Sequence, residues 1–184
     1  MVRNIMPKEE WAEVAPAFIR RKKQYYYLRV NPQENDGMIT SIEELVDHEP
    51  TEEDKTTLYV KWLAMEKKVK LHEIEQYDTS DNVNIFEIGG VSAWLDKATR
   101  VGLKNSLAVE AEAGHETTTL YLNGNAITLQ VTKAVEMLDE LELYAIECYR
   151  QTEVHKAAVN ALSVIEDVEG YDYTTGYPQH PVFE

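Results

Sequence analysis

A regular stripe of small and apolar residues runs through the segment from Thr132 to about Ala161. Its members alternate in steps of four and three residues, which is the spacing of one face of an α-helix. A helix with one apolar side must bury that side against another element, so the chain has to fold around this segment. The stripe consists of Ala134, Leu138, Leu141, Ala145, Cys148, Thr152, His155, Val159 and Leu162.

Two tight hairpins are predicted before this helix. The Gly-Gly pair at 89–90 and the Asn-Gly pair at 123–124 suit the positive φ angles of two-residue hairpin turns, and both pairs are flanked by strand-forming residues. Between the hairpins, Asp96 is placed to cap a helix that ends near Ala113. The order from residue 83 to 161 is therefore hairpin, helix, hairpin, helix.

This order predicts an α+β fold. Each hairpin is too small to bury its own apolar face, so we expect a small antiparallel sheet of four strands packed by the two long helices. A third long helix is expected from Thr51, where a threonine cap is followed by three acidic residues that favour the positive end of the helix dipole.

The N-terminal region is predicted to be mainly helical. Trp11, Val14 and Phe18 have helical spacing and indicate a helix over 8–23, and a short helix is expected over 41–46. The aromatic segment 25–30 indicates one strand that leads into an exposed loop. These elements divide the chain into an N-terminal region (1–50), a long connecting helix (51–78) and a C-terminal domain (79–184).

Charge is distributed unevenly along the chain. Thirty-three Asp and Glu residues against 18 Lys and Arg give a net charge of −15, yet residues 1–29 carry seven Lys and Arg against three Glu, a net charge of +4. Because nucleic-acid affinity depends on cations that displace counterions, the overall charge argues against a nucleic-acid partner. No apolar run is long enough for a membrane span or a signal peptide, and one cysteine allows no internal disulfide.

The basic block at 20–23 followed by tyrosines at 25–27 is the main candidate for partner docking. Interleaved cations and aromatic side chains also occur in nucleic-acid contacts, and cations near the end of a helix could simply act as caps. The negative net charge of the chain disfavours nucleic acid. Docking onto an acidic protein surface, or helix capping, is therefore the favoured interpretation. Tyrosines of the C-terminal tail are further candidates, since aromatic side chains often anchor interfaces. The candidates are Arg20, Arg21, Lys22, Lys23, Tyr25, Tyr26, Tyr27, Tyr171, Tyr173 and Tyr177.

No pattern in the sequence indicates catalysis, a cofactor or a metal. The five histidines have no HxxxH or HExxH spacing, and Cys148 and His155 lie on the apolar stripe, where burial in the core explains them better than zinc binding. The glycine pairs lack the context of a phosphate-binding loop, and no serine lies in a nucleophile elbow. We therefore predict a protein without enzymatic activity, catalytic residues, cofactor or metal.

Several short segments between residues 77 and 182 together form a distinctive set. They are Trp94-Leu95-Asp96-Lys97-Ala98-Thr99-Arg100, Glu116-Thr117-Thr118-Thr119-Leu120, Leu143-Tyr144-Ala145 with Cys148-Tyr149, His155-Lys156-Ala157-Ala158-Val159, and Tyr171-Asp172-Tyr173 with Gly176-Tyr177-Pro178. Through these segments, residues 77–182 resemble a domain of unknown function that is encoded by phages and prophages of gut bacteria. Residues 1–76 lie outside the resemblance.

The resemblance implies a structural protein of the virion, associated with the tail or tail fibre and made in the cytoplasm of the host bacterium. Its expected partners are other tail or fibre proteins and further copies of itself, with a trimer favoured because phage fibres are commonly threefold. Two alternatives stay open. One is a tail-fibre assembly chaperone that is absent from the finished particle, and the other is a carbohydrate-active fibre module.

Overall fold

The computed structural model describes all 184 residues and divides into two compact units, residues 1–69 with 162–170 and residues 70–161 with 171–184. The strands are β1 (Val2–Pro7), β2 (Val14–Arg20), β3 (Lys23–Asn35), β4 (Met38–Val46), β5 (Phe86–Ile88), β6 (Val91–Ala93), β7 (Thr117–Leu122), β8 (Asn125–Gln130) and β9 (Val182–Phe183). The helices are α1 (Glu52–Asp78), α2 (Lys97–Glu112), α3 (Val131–Ala161) and α4 (Ile165–Glu169), with a short 3-10 helix at Lys8–Glu10.

The first unit is built on an antiparallel sheet with the strand order β1-β4-β3-β2. One face of this sheet is covered by the first part of α1 and by α4, which together enclose an apolar core. Successive residues of a strand point to opposite faces, so the core residues of β3 and β4 are ones that share the face turned toward the helices. The buried members of the core are Leu28, Val30, Ile42, Leu58, Trp62 and Ile165.

The opposite face of the same sheet holds a buried ion pair. Arg29 and Glu43 are directly paired residues of β3 and β4, and their side chains are 2.8 Å apart and only 9% and 11% exposed. Arg29 also donates to the carbonyl of Ala12, at 2.9 Å. These contacts replace the hydrogen bonds to water that both charged groups lose on folding. A charged side chain is stable in a buried position only when its desolvation is compensated in this way.

The second unit contains two small sheets and the long helix α3. Strands β5 and β6 form the first hairpin, and β9 pairs in parallel with β5, while β7 and β8 form a separate two-stranded sheet. The core lies between these strands and the buried sides of α2 and α3, with Phe86, Leu138 and Leu141 fully buried. None of the helices in the chain is both long and apolar enough to cross a membrane.

The predicted fold class is wrong in its N-terminal half. The segment predicted as a helix over 8–23 contains strand β2, and the segment predicted as a short helix over 41–46 belongs to strand β4. Pro16 is accommodated because β2 is an edge strand, where a missing N–H costs no sheet hydrogen bond. In strand β4, Glu43 is buried against Arg29 of the neighbouring strand, a pairing that a helix over 41–46 would not make.

The predicted arrangement of the C-terminal strands is also wrong. Both hairpins and the helices at 97–112 and 131–161 are present in the predicted order, and Asp96 caps α2 by accepting a 2.7 Å hydrogen bond from the backbone N–H of Thr99. The hairpins do not join into one four-stranded sheet, because the edge of β5 is taken by β9 instead. The four-stranded sheet of this protein lies in the N-terminal region that was predicted to be helical.

Candidate docking surface

The four cations of the block at 20–23 lie at the end of the β2–β3 hairpin. Arg20 and Lys23 are directly paired across the two strands, and Arg21 and Lys22 form the two-residue turn between them. All four residues are exposed. We call Arg20–Lys23 the basic turn.

Three of these four cations form no salt bridge. Lys23 is the exception, since its ammonium lies 3.0 Å from the carboxylate of Asp47, and this hydrogen bond raises the pKa of Lys23. The guanidinium groups of Arg20 and Arg21 and the ammonium of Lys22 have no acidic partner within the chain. They are therefore available to an anionic group from outside.

The backbone of the basic turn is one that arginine and lysine seldom adopt. Arg21 and Lys22 have φ angles of 50° and 64°, so both lie in the left-handed region, as a type I′ turn requires. An L-residue in that region is disfavoured by a clash between its Cβ and the backbone. The chain thus holds two cations where smaller residues would fit better.

The other two-residue hairpin turns of the chain show what this backbone ordinarily selects. They occur at 36–37, 89–90 and 123–124, and all six residues in them have positive φ. Their sequences are Asp-Gly, Gly-Gly and Asn-Gly, which are the favoured type I′ pairs. Only the basic turn departs from them, and it does so with two charged residues.

An exposed aromatic face lies beside the basic turn on the same hairpin. The rings of Phe18 and Tyr25 stack with their centroids 4.7 Å apart, and Phe18 is 42% exposed. Tyr27 is directly paired with Leu45 on the neighbouring strand, so both project from the same face of the sheet as Phe18 and Tyr25. We call Phe18, Tyr25, Tyr27 and Leu45 the aromatic face.

Strand alternation separates the three consecutive tyrosines of the predicted site. Tyr25 and Tyr27 belong to the aromatic face, and the guanidinium of Arg29 lies 5.5 Å from the ring centre of Tyr27. Tyr26 is paired with Val46, which packs against the core, so it projects from the opposite face. Two of the three tyrosines therefore lie beside each other on one surface.

The candidate tyrosines of the C-terminal tail make contacts within the second unit. Tyr171 lies 2.9 Å from Nδ1 of His155, and Tyr177 lies 3.0 Å from the hydroxyl of Thr152. Tyr173 makes an edge contact with the ring of Tyr77. These half-buried tyrosines attach the tail to α3 and to the end of α1.

His155 and Cys148 occupy separate places in the second unit. Nε2 of His155 lies 2.9 Å from the carbonyl oxygen of Thr175 and 3.0 Å from the side-chain nitrogen of Gln151, and Nδ1 lies 2.9 Å from the hydroxyl of Tyr171. Burial raises the pKa of the Cys148 thiol. No group of three or more His, Cys, Asp and Glu side chains in the chain is arranged to hold a metal ion.

Sequence analysis missed Phe18 and Leu45 because both fall in segments that were predicted to be helical. The hairpin itself had a signal, since two strand-like runs flank exactly two residues, at 21 and 22. The turn was not recognised because it contains neither Asn nor Gly, the residues that usually mark such turns.

Comparison of the chain with protein-family models, with curated proteins and with solved structures finds no match.

Proposed function

We propose that the protein is a non-enzymatic structural component of a phage virion, associated with the tail or tail fibre. It acts by protein–protein docking through the basic turn and the aromatic face, and its partners are other tail or fibre proteins and further copies of itself, in a trimer. It is made in the cytoplasm of the host bacterium and retained in the particle. The phage assignment rests on the family resemblance of residues 77–182, and docking rests on the surface described above.

The observation that carries the docking proposal is the basic turn. Three unpaired cations project from the end of a hairpin, and two of them, Arg21 and Lys22, occupy a backbone that would accept Asn-Gly with less strain. Strained backbone is retained most often where the side chains held there have a task. The neighbouring aromatic face supplies apolar contact area, so cations and rings together suit an acidic protein surface with apolar side chains.

Quantitative mass spectrometry of purified phage particles tests the proposal. We expect this chain at a fixed low ratio to a known tail protein of the same particle. If the chain is abundant in the infected-cell lysate but absent from particles, the assembly-chaperone alternative is supported and the structural role is excluded.

A charge reversal in the basic turn tests the docking surface. Deleting residues 1–29 would be a poor test, because it removes β1, β2 and the core residue Leu28. Arg21→Glu instead changes the charge by −2 at an exposed position, and we expect it to reduce incorporation into particles. Lys68→Glu is the matched control, because Lys68 is an exposed residue of α1 that forms no salt bridge. Equal incorporation of both variants would contradict a role for the turn.

A further inference from the structure

The exposed side of α3 carries a row of acidic residues with one leucine among them. Glu136, Glu140, Leu143 and Glu147 follow each other in steps of four, three and four, so they lie along one side of the helix. Glu136 is paired with Lys133, at 2.7 Å, whereas Glu140 and Glu147 form no salt bridge. Leu143 is 63% exposed. We call these four residues the α3 stripe.

The basic turn and the α3 stripe are complementary in charge. The unit that contains α3 has 17 Asp and Glu against seven Lys and Arg, a net charge of −10. The basic turn has four cations, of which only Lys23 is paired. Each surface therefore lacks the opposite charges that the other surface provides.

The two surfaces also match in their apolar residues. Ile19 lies directly before the basic turn and is 72% exposed, the most exposed large apolar residue in its unit. Leu143 lies between Glu140 and Glu147, so an apolar residue is flanked by charges on both surfaces. Glu140 and Glu147 are seven residues apart, about 10 Å along the helix axis, and long cationic side chains at a hairpin end can reach both.

We infer that the basic turn of one copy of this chain docks onto the α3 stripe of a second copy. Arg21 and Lys22 then pair with Glu140 and Glu147, and Ile19 covers Leu143. This inference rests on the proposed function, since it names the partner of the same docking turn. Because the two surfaces differ, the contact is head-to-tail, and it forms a ring when the rotation between copies closes.

Sedimentation velocity of the purified full-length protein tests this inference. The series runs from micromolar to millimolar protein in 150 mM NaCl, where the screening length of about 8 Å reduces repulsion between distant charges but leaves contact pairs. We expect the weight-average sedimentation coefficient to rise with concentration. A protein that stays monomeric to 1 mM overturns the inference.

Charge exchange identifies the two surfaces. Arg21→Glu and Glu140→Arg are each expected to weaken association about tenfold, because each places like charges opposite each other. The double variant R21E/E140R is expected to recover most of the affinity, and so is an equal mixture of the two single variants. Lys68→Glu serves again as the control and is expected to associate like the original chain. Failure of both rescues overturns the assignment of the α3 stripe.

The outcome for the proposed function can be distinguished from the outcome for this inference. If the purified protein stays monomeric while Arg21→Glu still prevents incorporation into particles, the turn docks on another virion protein. The inference then fails and the proposed function stands. The opposite result is that R21E enters particles normally, while R21E and E140R each weaken self-association and their combination restores it. In that case the second copy is confirmed as the partner of the turn, and the proposal that the turn docks the protein in the particle fails.

Discussion

Replacing Arg21 and Lys22 by Asn and Gly is expected to stabilise the protein and at the same time to weaken its docking. The double variant, R21N/K22G, keeps the two-residue turn, because Asn-Gly is the pair that already forms the β7–β8 turn at 123–124 with the same signs of φ. It removes two of the four cations of the basic turn. Stability and binding should therefore change in opposite directions.

The size of the stabilisation follows from the backbone angles. A non-glycine residue in the left-handed region costs roughly 1–2 kcal/mol, whereas glycine adopts it freely but loses about 0.5–1 kcal/mol more chain entropy on folding. The change at Lys22 is thus worth about 0.5–1 kcal/mol. Asn is several-fold enriched over other residues in this region, which adds about 0.5–1 kcal/mol at Arg21. The total is about 1–2 kcal/mol.

Urea and thermal unfolding followed by circular dichroism measure this change, at pH 7 in 150 mM NaCl. For a chain of this length, 1 kcal/mol corresponds to roughly 2–4 °C in Tm, so a rise of several degrees is expected. The reverse exchange at the β7–β8 turn, Asn123→Arg with Gly124→Lys, is the matched control for backbone strain and should lower the Tm. A loss of stability in R21N/K22G would refute the strain argument.

Three further results are expected from other contacts. NMR titration should give His48 a pKa above its ordinary 6.5, because the protonated ring bonds to the carboxylates of Asp54 and Asp47; the stabilisation is complete below pH 6.5 and is lost as the pH rises through the raised pKa, and Asp54→Asn should lower the midpoint only in part, because Asp47 remains. Arg29→Met should cost about 3–5 kcal/mol in urea unfolding, since it leaves the carboxylate of Glu43 buried without its cation and with the side-chain amide of Asn4 as its remaining donor, and a cost below 1 kcal/mol would contradict this account. Asp96→Ala should cost about 1 kcal/mol through loss of the cap of α2, whereas Asp96→Asn should cost little, because asparagine caps equally well.

The elements that sequence analysis located correctly are those whose signals are local. The Gly-Gly and Asn-Gly turns, the cap at Asp96 and the stripe of α3 each depend on residues within one element. The N-terminal sheet depends instead on pairs between strands. Glu43 is compatible with strand β4 because Arg29 lies opposite it, 14 residues earlier in the chain, and no short window of sequence contains both.

The candidate site could be predicted only in part for the same reason. The basic block and the tyrosines at 25 and 27 were found from composition, because cations and aromatic residues are adjacent in the sequence. The aromatic face, however, combines side chains from three strands, and Leu45 enters it only through its pairing with Tyr27. The strain of the basic turn was hidden as well, since it becomes visible only once 21–22 is known to be a hairpin turn.

The negative net charge of the whole chain explains why a local cluster of cations would matter for contact between two copies. Two copies that each carry −15 repel each other, so a contact between them needs a place where the local charge is reversed. The first unit has 11 Lys and Arg against 16 Asp and Glu, and three of its cations are unpaired at one hairpin end. Moving these cations elsewhere would leave the net charge unchanged and would relieve the turn, yet it would separate them from the aromatic face on the same hairpin. Strain, exposure and lack of partners at the same two residues are therefore best explained together, by recognition.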